Sequence, residues 1–234
     1  MKNLLLSTGF SPAQQAKFLI YYEMLIEKNK VMNLTAITEP REVLEKHFLD
    51  SVLPSRLIPH GASVIDVGTG AGFPGVPLLI IRDDIDVTLL DSLNKRLVFL
   101  NDVLLALDLT GRARTVHARA EDGARPPFAL RGRFDVTTTR AVASADKLVE
   151  WTVPYLKVGG VSLMYKTAAP TGVALTAAPT ACGARALAEL RAEAKVEKLD
   201  AAWGERSVVI VKKLAPTPEK YPRSAAEIKK KPLV

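Results

Sequence analysis

Cysteine and long apolar runs are almost absent from this chain of 234 residues. Because Cys182 is the only cysteine, no disulfide can form within the chain, which favours a reducing compartment. No apolar run approaches the length of a membrane span, and the three leucines after Lys2 are too few for a secretory signal. Cysteine, histidine and acidic residues also lack metal-ligand spacing. We therefore expect a cytoplasmic protein without a metal site and without membrane contacts.

Positive charge is in excess, with 32 lysines and arginines against 25 acidic residues, a net charge of +7. Residues 201–234 hold eight basic residues against three glutamates. A second cluster contains Arg112, Arg114, Arg119, Arg125, Arg131, Arg133 and Arg140. One cluster alone would be read as a solvated face, but two clusters favour a nucleic-acid partner. Nothing indicates an obligate dimer, so we expect a monomer.

The most informative segment is residues 64–75, where an apolar run ends in Asp66 and Gly68, Gly70 and Gly72 follow at alternate positions. Glycines allow a tight turn and close approach of the backbone to a ligand. A dinucleotide loop has the spacing G-x-G-x-x-G around a pyrophosphate, which the Asp66 carboxylate would repel. A cofactor with cationic groups and no phosphate fits better, and S-adenosylmethionine carries a sulfonium and an amino group.

A second acid supports this interpretation. Asp91 ends the next apolar run, about 20 residues further on, where a carboxylate can hold ribose hydroxyls. The alternative is a tight glycine turn with an acidic surface residue after each strand. Because strand, acid, glycines and second acid fall in register, the pattern favours a cofactor site.

From Ser63 onwards, short apolar strands alternate with helical periods, which predicts an α/β fold with a doubly wound, mostly parallel sheet. The predicted strands are 63–67, 86–91, 113–118, 134–139, 161–165 and 207–213, with a short one at 196–199. The predicted helices of this part are 74–82, 94–107, 144–156 and 183–195. The segment 168–181, rich in alanine, proline, threonine and glycine, is predicted to be a mobile loop.

Two helices, one beginning at the capping box Ser11–Gln14 and one over 41–53, precede the glycine loop. We therefore predict one domain with three parts: an N-terminal helical cap (1–62), a core (63–215) and a basic C-terminal tail (216–234). Ligands of such sheets lie beyond the carboxyl ends of the strands. Gly68, Asp91, Ala120 with Glu121, and Arg140 follow four different strands and should meet there.

Six motifs occur in an order that resembles the bacterial 16S ribosomal RNA guanine-N7 methyltransferases, also called glucose-inhibited division protein B. They are Asn33-Leu34-Thr35, His47-Phe48-Leu49-Asp50-Ser51, residues 66–75, Arg119-Ala120-Glu121, Arg140-Ala141-Val142 and Lys220-Tyr221-Pro222-Arg223. The resemblance runs from about residue 28 to the C-terminus. It implies a Rossmann-like class I methyltransferase fold, S-adenosylmethionine as cofactor, and 16S ribosomal RNA or the small subunit as partner.

The resemblance also assigns roles. It places the cofactor at Gly68, Phe73, Asp91, Ser92, Leu93, Ala120, Glu121 and Arg140, to which the loop spacing adds Asp66, Gly70 and Gly72. The expected RNA-binding residues are Lys220, Arg223, Lys229, Lys230 and Lys231. Asp91 would hold the ribose, and Ala120 with Glu121 would contact the adenine side. Phe73 would pack near the cofactor or anchor the loop to the core.

Arg140 is the expected catalytic residue, orienting the target guanine or a phosphate, and an ion pair with Asp66 or Glu121 is its alternative role. His47 is expected to be structural, hydrogen-bonded near Asp50. Guanine N7 carries a free lone pair at neutral pH, so no general base is required. A small-molecule methyltransferase and a non-catalytic RNA-binding protein remain alternatives, and a nicotinamide dehydrogenase is the weakest.

Overall fold

The computed structural model describes residues 1–140, 145–167 and 183–233, and it contains one seven-stranded sheet. The strands are β1 (Ser63–Val67), β2 (Asp86–Asp91), β3 (Ala113–His117), β4 (Phe134–Arg140), β5 (Leu156–Thr167), β6 (Ala192–Leu199) and β7 (Arg206–Lys213). Their order is β3-β2-β1-β4-β5-β7-β6, and β7 alone runs antiparallel to its neighbours. The predicted doubly wound, mostly parallel sheet is confirmed.

Ten α-helices in the described residues flank the sheet or extend it. They are α1 (Lys2–Leu5), α2 (Pro12–Met32), α3 (Pro40–Val43), α4 (Asp50–Val52), α5 (Gly75–Ile81), α6 (Asn94–Ala106), α7 (Ala120–Gly123), α8 (Ala145–Thr152), α9 (Ala184–Leu190) and α10 (Ala225–Lys230). Within the described ranges, no helix is long and apolar enough to cross a bilayer.

Helix α2 begins as predicted, since Ser11 and Gln14 form a reciprocal capping box. Its buried face carries Phe18, Tyr21 and Leu25. The second predicted helix, 41–53, is not one regular helix. A π-helical turn over Leu44–Leu49 separates α3 from α4 and displaces the backbone there.

Other boundaries differ from the prediction, and the strand predicted at 196–199 begins earlier, as β6 (Ala192–Leu199). The helix expected over 183–195 ends at Leu190, because Arg191 adopts a left-handed conformation with φ of 56° and the chain then enters β6. The helix expected over 144–156 gives way to a 3₁₀ turn at Val153–Tyr155, which contains Pro154. Strand β5 is longer than the predicted 161–165. The loop predicted at 168–181 lies outside the described residues.

The tail, predicted as a basic extension, is anchored to the core. Tyr221, Ile228 and Leu233 are buried, and Tyr221 and Leu233 belong to an apolar cluster built from α8, α9, β5 and β7. Arg223 donates from Nη2 to the buried carboxylate of Glu150 in α8 at 2.7 Å. The tail therefore contributes to the fold as well as to the surface charge.

Candidate cofactor and substrate site

A cavity of about 800 Å³ opens at the carboxyl ends of β1, β2 and β4. This volume lies within the range of small-molecule and cofactor sites. The predicted residues that line it are Gly68, Gly70, Phe73, Asp91, Ser92, Ala120, Glu121 and Arg140. Segments before and after the strands close its other sides, with Thr35 and His47 from the cap and Ala225 from α10.

The glycine loop is fastened to the neighbouring strand. The amides of Gly68 and Thr69 both donate to the carbonyl oxygen of Leu90, at 2.9 and 3.0 Å. Gly70 has φ of +60°, and a Cβ built there would meet no atom closer than 4.0 Å, so this backbone is open to a ligand. Gly72 does not line the cavity. With φ of +107°, its Cβ would lie 2.6 Å from the Tyr21 hydroxyl, so glycine is required there for packing.

Asp66 holds this loop from behind and is fully buried. Its carboxylate accepts hydrogen bonds from Thr69 Oγ1 (2.7 Å), the Gly75 amide (3.0 Å) and Thr138 Oγ1 (3.0 Å). Burial raises the pKa of Asp66 to about 6, although these three donors oppose the shift. The residue is not part of the cavity lining, so the sequence argument for a direct contact with a cationic cofactor is corrected: Asp66 organises the loop.

Asp91, at the end of β2, lies in the cavity wall with its carboxylate nearly buried. Oδ2 accepts from the Gly70 amide at 2.9 Å, and Oδ1 accepts from the Leu93 amide at 2.9 Å. Arg96 Nη1 lies 3.4 Å from Oδ2. Each carboxylate oxygen has further lone-pair capacity for a ligand hydroxyl. Ser92 lines the cavity, whereas Leu93 contributes its amide and is not part of the lining.

Ala120 and Glu121 begin the short helix α7 at the third strand end. The Tyr155 hydroxyl donates to the Ala120 carbonyl oxygen at 2.6 Å and fixes this turn against the 3₁₀ segment. Glu121 is buried, and its Oε1 lies 4.0 Å from Nη1 of the exposed Arg119. The turn thus presents one backbone segment and one carboxylate to the cavity.

Arg140 lines the cavity and is hydrogen-bonded to the π-helical turn. Its Nη1 donates to the carbonyl oxygens of Lys46 and His47 at 3.1 and 3.4 Å. The guanidinium carbon also lies 5.0 Å from the ring centroid of Phe73. Asp66, Glu121 and Arg140 are all among the described residues, and neither Asp66 nor Glu121 forms an ion pair with Arg140. A direct ion pair is therefore not formed, although the positive charge of Arg140 opposes the rise in the pKa of Asp66.

His47 is held between this guanidinium and the cap. Its ring stacks on Phe73 with centroids 4.5 Å apart, and Nε2 lies 2.8 Å from Thr35 Oγ1. Nδ1 lies 3.2 Å from the Lys46 carbonyl oxygen and 3.4 Å from Arg140 Nη2. The predicted structural role fits these contacts, but the ring's partner is Thr35 and not a group near Asp50.

Phe73 belongs to an aromatic stack as well as to the cavity wall. Its ring packs against Tyr21 (5.4 Å between centroids) and Phe48 (6.2 Å) from the cap. The Tyr21 hydroxyl donates to the Ala71 carbonyl oxygen at 2.6 Å. Anchoring of the loop, one of the two predicted roles, is thus present. A contact between Phe73 and the cofactor stays a prediction.

Sequence reasoning missed one cluster in the lining. Both carboxylate oxygens of Asp50 accept from Arg206 Nε, at 2.8 and 2.9 Å, and Trp203 Nε1 donates to the same carboxylate. Asp50 and Arg206 line the cavity. They are 156 positions apart, and the only available signal was the position of Asp50 within one of the six motifs.

The His47 ring gives a prediction about pH. Burial, and then the positive charge of Arg140, lower the pKa of His47 to about 4 from its usual value near 6.5. Its contribution to stability is therefore complete above pH 6.5 and is lost as the pH falls through 4. We expect an NMR titration of the imidazole to show a neutral ring at about pH 5. Arg140→Ala should raise this pKa and Arg140→Lys, which keeps the charge, should raise it less; a wild-type midpoint near 6.5 would contradict the assignment.

Comparison with known proteins decides the family. Residues 14–200 match the family described as rRNA small subunit methyltransferase G. The chain belongs to this family. It is 43% identical to the ribosomal RNA small subunit methyltransferase G of Clostridium perfringens (strain 13 / Type A), over 96% of this chain and 92% of that protein. The corresponding protein of Desulfitobacterium hafniense (strain Y51) is 44% identical, over 98% and 93%.

Solved structures show the same fold at low identity. The O-methyltransferase from Bacillus cereus in complex with SAH aligns with a TM-score of 0.55 and 17% identity, over 82% of this chain and 90% of that one. M. jannaschii TYW2 in complex with AdoMet gives 0.52 and 14%, over 88% and 77%. The Rossmann-like class I fold is thus confirmed. Family membership confirms the predicted enzyme class, a methyltransferase, and the predicted cofactor, S-adenosylmethionine.

Proposed function

We propose that this protein transfers the methyl group of S-adenosylmethionine to N7 of a guanine in 16S ribosomal RNA of the small subunit. The observation that carries the proposal is the family match, which spans the cap, the glycine loop and the strand ends that enclose the cavity. The excess of positive charge, +7 over the chain, suits an RNA substrate. We place the reaction in the cytoplasm and take the enzyme to act as a monomer.

The residues present fit the cofactor. Gly70 leaves the backbone open beside Gly68, and the buried carboxylate of Asp91 offers acceptors for ribose hydroxyls beside Ser92. Ala120 and Glu121 would contact the adenine side, and Phe73 would form the wall between cofactor and cap. When bound, the cofactor supplies a methyl group on a cationic sulfonium.

The remaining side chains need not move a proton. Guanine N7 has a free lone pair, so alignment and exclusion of water can supply the acceleration. The His47 ring is neutral and the Asp50 carboxylate is paired with Arg206. Both side chains can therefore form cavity walls that orient a planar guanine without accepting a proton from it. Arg140 acts on this arrangement by fixing the π-helical turn against Phe73. Contact between its guanidinium and the guanine, the catalytic role predicted from sequence, remains part of the proposal.

The direct test is transfer from labelled S-adenosylmethionine to small ribosomal subunits that lack their N7-methylguanosine, followed by nuclease digestion and nucleoside analysis. Label in N7-methylguanosine is the expected result. If label appeared in another nucleoside, the atom would be wrong but the substrate class right. Cofactor binding with no label in RNA would contradict the proposal and leave a small-molecule methyltransferase in its place.

The tail supplies a separate prediction. Ala225 lines the cavity, so α10 lies at its rim and carries Lys229 and Lys230, with Lys231 following. Replacing these three lysines by alanine should weaken binding of 16S RNA and reduce the salt dependence of log K by about 0.7 for each phosphate that is no longer neutralised. Lys195→Ala with Lys212→Ala, on exposed residues of β6 and β7, serves as the control. Equal slopes in wild type and the tail variant would remove these lysines from the interface.

Point substitutions are preferable to deletion of residues 216–234, because Tyr221, Ile228 and Leu233 are buried in the core. Lys220 pairs with Glu189 at 3.0 Å, and both groups are exposed enough to exchange partners. Arg223 differs, since its Nε and Nη2 are bound to Glu150 and its Nη1 to the Lys231 carbonyl oxygen. We therefore do not retain Arg223 among the proposed phosphate contacts.

A further inference from the structure

The arginine cluster predicted from sequence divides into two groups in the structure. The members are Arg112, Arg114, Arg119, Arg125, Arg131, Arg133 and Arg140. Four of them donate to backbone carbonyl oxygens and are structural: Arg112, Arg125, Arg131 and Arg140. Arg114, Arg119 and Arg133 are exposed and keep most of their donors for solvent. Charged groups without a fold role mark a surface for anions.

Two of these three face a second cavity. It measures about 670 Å³ and lies near the amino ends of β2 and β3, on the sheet face that carries Thr88. This face is incompletely covered because the connection from β3 to β4 contains only the four-residue helix α7. Arg114 Nε donates to Thr88 Oγ1 at 3.0 Å, which fixes the side chain there, and the Arg133 guanidinium has no partner among the described residues.

The lining has the chemistry of a phosphate site beside a base platform. Arg114 and Arg133 supply two guanidinium groups against one carboxylate, Asp86, while Arg112 also borders the cavity but donates to backbone carbonyl oxygens. Phe128, with 38% of its surface exposed, also borders the cavity. Guanidinium groups that contact phosphates and an accessible ring on which a base stacks are the combination found in single-stranded RNA grooves.

The edge strand β3 connects this cavity to the cofactor site. Arg114 lies in its amino half, His117 ends it, and Arg119 follows in the wall of the first cavity. Five residues in extended conformation span about 17 Å at roughly 3.3 Å per residue. Strand β3 pairs with a neighbouring strand on one side only, and none of its five residues is buried.

We propose that the second cavity binds phosphate groups of the RNA substrate, with Arg114 and Arg133 as the contacts and Phe128 as a stacking surface. The inference rests on the proposed function for the identity of the RNA. It adds a contact region on the opposite end of the sheet from the methylated guanine, so that the substrate follows the β3 edge from one cavity to the other.

The test compares binding of 16S RNA over a series of salt concentrations for wild type, Arg133→Ala, and Arg114→Ala with Arg133→Ala. The pair should lower the slope of log K against log salt by about 1.4, the value for two single-strand phosphates that are no longer neutralised. Lys195→Ala with Lys212→Ala removes the same charge from β6 and β7, on the far side of the sheet, and should leave the slope near that of wild type. Phe128→Ala should weaken binding about fivefold or more without changing the slope.

Calorimetric titration with S-adenosylmethionine checks that each variant is folded. Arg133→Ala is the safest of them, because its side chain has no partner in the described part of the chain. Equal slopes for the Arg114/Arg133 pair and the control pair would overturn the proposal.

A second arm titrates inorganic phosphate. Phosphate binding that depends on Arg133, with an unchanged RNA slope, would assign the cavity to a free anion and overturn the RNA contact. The methyl-transfer assay on wild type does not depend on these slopes. The proposed reaction and the proposed RNA contact at the second cavity can therefore be contradicted independently.

Discussion

Asp91→Ala is expected to weaken S-adenosylmethionine binding about 100-fold while the protein remains folded. The carboxylate lies in the cavity wall and has lone-pair capacity beyond its bonds to the Gly70 and Leu93 amides. Hydrogen bonds to a charged group contribute about 1.5–3 kcal/mol each. Loss of one or two such bonds to ribose hydroxyls, together with a looser Gly70 backbone, gives a cost of about 3 kcal/mol, which is the factor stated.

Calorimetry with the purified variants measures this effect. Asp91→Asn keeps the shape and one acceptor oxygen, so its affinity should fall between wild type and Asp91→Ala. Asp102→Ala removes the same charge from an exposed position on α6 and controls for net charge. An affinity of Asp91→Ala equal to wild type would remove Asp91 from the cofactor site and leave it as a loop anchor only.

The glycine loop shows how far sequence reasoning reached. The spacing of Gly68 and Gly70 after a strand placed the backbone at the cavity, since turn geometry is a local property. The direct cofactor contact assigned to Asp66 was wrong, because its buried carboxylate faces the core and accepts from Thr138 of β4, 72 positions away. A carboxylate at a strand end can face the ligand or the core, and local sequence does not distinguish the two.

The cavity residues from the cap and from Arg206 were harder to predict than the glycine loop. The π-helical turn at Leu44–Leu49 has the apolar spacing of an ordinary helix, so periodicity predicted one continuous element. Its carbonyl groups accept hydrogen bonds from Arg140, which lies 94 positions away in the sequence. The pairing of Asp50 with Arg206 likewise joins distant segments. Such contacts are set by tertiary packing, which pattern analysis does not contain.

The C-terminal segment gives the second large effect: Glu150→Ala should destabilise the protein by about 3–5 kcal/mol. The Glu150 side chain is 1% exposed and accepts from the Arg223 amide at 2.8 Å, from Nε at 2.9 Å and from Nη2 at 2.7 Å. Its removal leaves a largely buried guanidinium without this carboxylate and frees the segment that leads into α10. For a chain of this size, the melting temperature should fall by roughly 10 °C.

Thermal unfolding followed by circular dichroism measures the destabilisation, and a double-mutant cycle with Arg223→Ala separates the pair from the individual groups. Because each single variant leaves one buried charge, the double variant should be less destabilised than the sum of the two. Lys220→Ala, which breaks the exposed pair with Glu189, should change the melting temperature little. A Glu150→Ala protein as stable as wild type would show that the apolar residues Tyr221, Ile228 and Leu233 hold the tail by themselves. In that case the ion pair would set only the orientation of α10 at the cavity rim, and its removal would alter RNA binding instead.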